Sequence, residues 1–215
     1  MKKSIEQIKF LKADLKRCWG HREPFSGAFL ISPFLWLTSW SLIYYRISRS
    51  LFLLPSPLRI LFAPVRHVIK RTGQLFTGTD ISERADIGPR FFIAHNGTLV
   101  VGGHTTAGSD FFVRQGVTCG GDGVGAGHPT FGDNVVLGAN AVVVGKITIG
   151  SNVMVGANST VTRDVPNNVV VAGVPARVVK ENRLDEMGKS GSNTTADGHG
   201  SAVLLTHGHN ASNEN

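Results

Sequence analysis

Residues 131–161 read FGDNVVLGANAVVVGKITIGSNVMVGANSTV, and this stretch decides the fold. Phe131, Leu137, Val143, Ile149, Val155 and Val161 recur every six residues without a break. Gly132, Gly138, Gly150 and Gly156 follow four of them directly, and Asn134, Asn140, Asn152 and Asn158 stand three residues after the same four. Four residues after the apolar positions come Val135, Ala141, Ile147, Val153, Ser159 and Val165, all small or β-branched. A six-residue beat is neither the roughly 3.6 of an α-helix nor the 2.0 of plain strand alternation. Each hexad reads as a short strand plus a corner. The aliphatic residue points inward, the small residue fits the tapering interior, and Gly or Asn takes a corner where positive φ is tolerated. Three hexads close one triangular coil, and coils stack about 4.8 Å apart through parallel hydrogen bonds.

The same beat runs upstream through Ile81, Ile87 and Ile93, and again through Val101, Ala107, Val113 and Cys119. The length of the array predicts roughly five coils, each burying a core that no single repeat buries alone. The beat is interrupted twice. Between Ile93 and Val101 the step is eight residues instead of six, with His95 inside it. Between Cys119 and Phe131 the signal lapses, and the loop GGDGVGAGHP ends close to His128. Interruptions of a regular scaffold are where functional groups tend to be displayed.

The array divides the chain of 215 residues into three regions. Residues 1–76 read as a basic, aromatic helical region, 77–180 as the repeat domain, and 181–215 as a disordered tail of low apolar content. Charge follows the same division: 13 Lys/Arg face 3 Asp/Glu up to Phe76, and 9 face 12 beyond it. The basic segment suits an anionic membrane surface or an acidic partner, so residues 1–76 carry an expectation of peripheral membrane contact. A mildly acidic repeat domain without a nucleic-acid motif argues against nucleic acid. Phe25 to Tyr45 runs 21 residues without a charged side chain, long enough to cross a bilayer. Pro33 and five hydroxyl residues make a buried hairpin or surface-bound element the better reading. Cys18 and Cys119 suit a reducing compartment, and the start lacks the apolar run of a signal peptide. A cytoplasmic protein is expected.

The hexads resemble those of the hexapeptide-repeat acyltransferases. Within that superfamily, residues 79–180 are similar to the serine acetyltransferases through TDISERADIG (79–88), FFIAHNGTLVVGG (91–103), RQGVTCGG (114–121), GHPTFGDN (127–134) and VAGVPARVV (171–179). The resemblance implies a mainly β fold, a left-handed parallel β-helix, assembled as a homotrimer. It also implies an acetyl-CoA-dependent O-acetyltransferase without a metal. By its motifs His95 maps onto the general base, Asp80 onto the carboxylate that orients it, and His128 onto a second histidine that binds and orients the acceptor. Coenzyme contacts fall on Ala139, Ala157, Thr162, Arg163, Arg177 and Lys180, in a groove between neighbouring β-helices. Glu23 corresponds to an acidic residue that helps bind serine. His104 maps onto nothing and reads as a surface or loop residue.

The match departs from the family where the substrate is read. Ala94 stands where the family has an Asp before the catalytic His, and Gly127 where it has an Arg before the second His. Free serine carries an ammonium and a carboxylate that need partners. The expectation is therefore a saccharide or other neutral hydroxyl acceptor, as in polysaccharide biosynthesis, with serine O-acetylation for cysteine biosynthesis as the alternative. Two rival classes share the fold. A metal-dependent hydratase would converge His95, His104 and His128 on one ion, and a non-catalytic scaffold would make no use of His95.

Overall fold

A computed structural model describes residues 2–19, 37–121, 123 and 127–182. The first described segments are helices: α1 (Lys2–Trp19), α2 (Leu37–Phe52), α3 (Ser56–Leu61) and α4 (Ala63–Thr77). Fifteen short strands follow, from β1 (Thr79–Ile81) to β15 (Ala176–Glu181). They form a parallel solenoid with three sides. One side stacks β1, β4 (Leu99–Val101), β7 (Thr118–Gly120), β10 (Val142–Val144) and β13 (Thr160–Val161). The second stacks β2 (Asp86–Ile87), β5 (Thr106–Ala107), β8 (Thr130–Phe131) and β11 (Thr148–Ile149). The third runs from β3 (Phe92–Ile93) through β6 (Phe112–Val113), β9 (Val136–Leu137) and β12 (Met154–Val155) to β14 (Val169–Gly173), which pairs antiparallel with β15. Four coils are complete. The fifth has only a single bridge, Ile149 with Val165, on its second side.

The hexad reading holds residue by residue. Leu137, Val143 and Ile149 are fully buried, as are Val135, Ala141 and Val153 at the other inward position. The upstream coils fill the second position differently. Phe91 and Phe111 take it there, and Phe131, at the first inward position one coil on, continues their stack, with ring centroids 5.7 and 4.9 Å apart. Cys119 points into the same core, and burial pushes its thiol well up; that of Cys18 is pushed to about 12. Both are free thiols.

The corners divide their work between Asn and Gly. Asn134, Asn140, Asn152 and Asn158 all have φ between 53° and 58°, the left-handed conformation that Asn tolerates. Their amides also ladder from coil to coil: Asn134 Nδ2 donates to Asn152 Oδ1 at 3.0 Å, and Asn152 Nδ2 to Asn168 Oδ1 at 2.9 Å. Gly132, Gly138, Gly150 and Gly156 are not among the residues with positive φ, contrary to the corner role expected of them. They are needed for closeness. A Cβ at Gly138 would lie 2.5 Å from the backbone N of Ala157 in the next coil. Gly138→Ala is therefore expected to destabilise the fold by about 1–3 kcal/mol, since the coils must part locally to admit the methyl. Chemical denaturation would measure it; an unchanged midpoint would mean that coil spacing is soft at this corner.

The helices are clamped to the first coil by polar groups. Arg46 on α2 is 1% exposed, yet every one of its guanidinium nitrogens is engaged. Its Nε donates to Asp14 Oδ2 at 2.8 Å, Nη1 to Gln7 Oε1 and the Ile87 carbonyl, and Nη2 to the Gly88 carbonyl at 2.6 Å. Asp14 on α1 completes the link by accepting from the Phe91 backbone N at 2.9 Å. Tyr45 donates from its hydroxyl to the Ala85 carbonyl at 2.9 Å. The last nine residues of the uncharged stretch, 37–45, thus lie in α2, where Leu42 and Tyr45 are buried. Among the described residues, no helix is long and apolar enough to cross a membrane. Residues 20–36, with the rest of that stretch, and 183–215 lie outside the described residues.

Candidate active site

Strand β4 has a candidate histidine at each end. His95 stands at its entry, in the turn from β3, where two residues beyond the regular hexad are looped out and Gly97 takes a φ of 139°. Its side chain is exposed. The α2 helix reaches this turn, with Ser41 Oγ donating to Asn96 Oδ1 at 3.3 Å. Asp80 lies one coil below, on β1, in register with Val100 of β4. Its carboxylate pairs with Lys70 Nζ of α4 at 3.3 Å, and both side chains are partly open to solvent. The charged partner that the fold gives Asp80 within one chain is thus Lys70; no hydrogen bond between His95 and Asp80 is formed among the described residues.

His128 sits at the other end of β4. Its ring covers Gly102, where a Cβ would lie 2.7 Å from His128 Cδ2 and 2.9 Å from Nε2. His104 packs edge-on against it at 5.3 Å between centroids. The register of the second side explains the meeting. Asp86, Thr106, Thr130 and Thr148 are aligned from coil to coil. The residues two places earlier, Arg84, His104, His128 and Lys146, therefore occupy successive levels of one corner. Direct contacts confirm two of the steps: the His104–His128 ring pair and the Lys146 side chain lying against Gly127. His128 Nδ1 is buried without a hydrogen-bond partner among the described residues.

The sequence reading puts His104 at the surface or in a loop, and the structure has it exposed in the turn before β5; what that reading does not give is its contact with His128, or the place of Lys146. Both were findable. Ala107, Phe131 and Ile149 keep the inward beat of that side, and His104, His128 and Lys146 each stand three residues before one of them. The loop after β7 lengthens one step by six residues and hides this alignment from simple counting.

The expected coenzyme positions gather in part. Ala139 and Ala157 occupy the same corner one coil apart, joined through the Asn158 backbone N donating to the Ala139 carbonyl at 2.8 Å. Thr162 and Arg163 follow β13 and are exposed. Arg177 and Lys180 lie on β15, exposed beside Val178 and Val179, which are 55% and 56% exposed. The backbone places these residues toward the late coils, away from the histidines of the first three levels. Glu23 lies outside the described residues, so its expected contact with acceptor is not part of this geometry. No group of three or more His, Cys, Asp or Glu suited to a metal ion occurs among the described residues.

Comparison with known proteins places this arrangement in a family. The family model described as bacterial transferase hexapeptide (six repeats) matches residues 128–163. A serine acetyltransferase from Synechocystis is 40% identical over 160 residues, covering 74% of this chain and 62% of that protein. Serine acetyltransferase from Neisseria gonorrhoeae, solved in complex with serine, is 30% identical with a TM-score of 0.66, and the match covers 80% of this chain and 69% of that one. The chain belongs to the serine acetyltransferase family. The Brucella abortus serine acetyltransferase solved in complex with coenzyme A has a TM-score of 0.71 at 27% identity, covering 85% of this chain and 71% of that one. The chain spans about half to three-fifths of the length of the curated serine acetyltransferases it matches, 54% for the Bacillus pumilus protein. Membership in the serine acetyltransferase family accounts for the solenoid. It does not account for Ala94, Gly127 or the Lys70–Asp80 ion pair.

Proposed function

We propose that this chain transfers the acetyl group of acetyl-CoA to the hydroxyl of L-serine. The observation that carries the proposal is the similarity to a serine acetyltransferase solved with serine, which covers 80% of this chain. Relatives bearing the same name favour serine over the saccharide acceptor that the sequence put first. The polar, open corner around His128 suits a small acceptor equally well.

The chemistry assigned to the chain is general-base attack. His95 Nε2 or Nδ1 takes the proton of the serine hydroxyl as its oxygen adds to the thioester carbon. The carbon–oxygen bond forms, the carbon–sulfur bond of the resulting tetrahedral adduct breaks, and the proton on the imidazolium goes to the departing thiolate. A carboxylate near the ring fixes its tautomer and favours the imidazolium, the role assigned to Asp80. Asp80 takes it by leaving Lys70, an exchange that an exposed ion pair, held by at most about 1 kcal/mol, permits.

One chain does not bring the two histidines together. They bracket β4, whose three residues span roughly 10 Å at about 3.3 Å each. A homotrimer that sets the entry edge of one protomer against the exit edge of the next joins them in a shared cleft. In the same groove Ala139 and Ala157 leave room for the pantetheine arm, and Thr162, Arg163, Arg177 and Lys180 face its polar groups. A cytoplasmic location, where acetyl-CoA is made and used, belongs to the same proposal.

The test is direct. Purified protein with acetyl-CoA should release thiol when L-serine is added, with O-acetylserine as the product by mass spectrometry. Thiol release with hexoses or amino sugars but not with serine would reverse the acceptor assignment, and none with any hydroxyl compound would remove the activity.

A further inference from the structure

The exit corner of β4 carries a cation, Lys146, that takes no part in the proton transfer assigned to His95. Lys146, in the turn between β10 and β11, is exposed, and among the described residues it forms no ion pair. Its stem crosses the residue that precedes His128. A Cβ built on Gly127 would lie 2.5 Å from Lys146 Cγ, 2.6 Å from Cβ and 2.9 Å from Cδ. Any side chain at position 127 would therefore collide with the lysine. The two positions share one volume, which Lys146 fills and Gly127 leaves open.

Two further observations say what the ammonium is for. It belongs to the same corner as His128, one level above it, and the levels below carry His104 and Arg84; the Asp164 carboxylate at the next level accepts from the Thr148 backbone N at 2.7 Å and, among the described residues, forms no ion pair with Lys146. Beside it, His128 Nδ1 is buried without a partner among the described residues, and a buried ring nitrogen of this kind calls for a polar ligand. A small acceptor with an anionic group next to its hydroxyl satisfies both. A neutral acceptor would leave the ammonium to water alone.

We propose that Lys146 binds the carboxylate of the amino-acid acceptor, so that this corner selects an α-carboxylate beside the hydroxyl to be acylated. The inference rests on the serine reading above and supplies what that reading lacked, a cation at the place where Gly127 offers none. Lys146 acts here as a specificity-determining residue. It orients the acceptor through a charge-assisted hydrogen bond and takes no part in proton transfer.

The experiment compares L-serine with L-serinamide, which keeps the hydroxyl and amine but has no carboxylate, at saturating acetyl-CoA. The unsubstituted chain should prefer serine. Lys146→Met should raise the KM for serine roughly ten- to a hundred-fold, the effect of losing a hydrogen bond to a charged group. It should leave the KM for acetyl-CoA and the turnover of serinamide nearly unchanged. Moving the cation should restore the preference: Gly127→Arg combined with Lys146→Gly relieves the collision and sets a guanidinium in the same volume. An unchanged serine KM would overturn the proposal. So would an equal loss for serine and serinamide, or a rise confined to acetyl-CoA, which would mean that Lys146 meets the coenzyme. Failure of the unsubstituted chain to acetylate serine would overturn the acceptor reading itself, and this proposal with it.

Discussion

Replacing His95 by alanine should lower kcat by roughly 10²- to 10⁴-fold, the span that a positioned general base contributes, while the solenoid stays folded and still binds coenzyme A. The imidazole is exposed, at the entry to β4, and no buried contact depends on it. Loss of stability therefore offers no competing explanation, and a melting curve recorded beside the rate would establish that. Asp80→Asn should cost less, because it removes the orienting charge but leaves the base. Lys70→Met provides the informative contrast. If the Lys70–Asp80 pair of 3.3 Å restrains the carboxylate, freeing it should hold or raise kcat, whereas a purely structural role predicts a lower melting temperature and no kinetic change. A His95→Ala protein with activity within a few-fold of the original would end the general-base account.

Arg46→Met should be the most damaging single change to stability, about 3–5 kcal/mol, because it strands Asp14 in the interior. Asp14 is fully buried and Arg46 is 1% exposed. Burial already pushes the Asp14 carboxyl above the ordinary carboxylate range, and Arg46 with the Phe91 N–H pulls it back. Without the guanidinium that rise is larger. The pH dependence follows from its sign. A carboxyl raised in the folded state holds its proton when the unfolded chain has lost it. The variant should therefore be least destabilised near pH 4, and lose stability as pH rises through the window above the unfolded value of about 3.9. Adding Asp14→Leu should recover part of the loss, since the pair then leaves no uncompensated charge. Urea denaturation of the two single variants and the double at pH 4 and 7 would measure the coupling. Additive losses would mean that Arg46 contributes by packing on Phe10 and Tyr45, 5.2 and 5.1 Å from its guanidinium carbon, rather than by charge.

The candidate site was only partly legible beforehand. His95 and His128 announce themselves by standing where a six-residue rhythm fails. Lys146 stands where the rhythm is regular, in a hexad that reads as scaffold. Its relevance comes from Gly127, eighteen residues and one coil away from the residue before Lys146, and from a loop whose length alone decides that the two touch. His104 is exposed in a turn, as the sequence implies, and only its contact with His128 is hidden, for the same reason. The corner glycines were misjudged in mechanism: Asn carries the positive φ, and glycine is required by a neighbour 2.5 Å overhead that belongs to another coil.

Local repetition was enough to determine the solenoid. Every hexad carries its inward aliphatic, small residue and corner within six positions, so side-chain burial and backbone handedness at each corner are decided by near neighbours. Stacking then follows because each coil exposes the edge that the next one pairs. What only the tertiary structure decided is which groups meet across coils: Lys70 on Asp80, Arg46 on Asp14 and two carbonyls of the first coil, His104 on His128, Lys146 over Gly127. These contacts join residues 10 to 42 positions apart, and they depend on where loops break the register and how helices dock. Periodicity is a short-range property and carries no information about either.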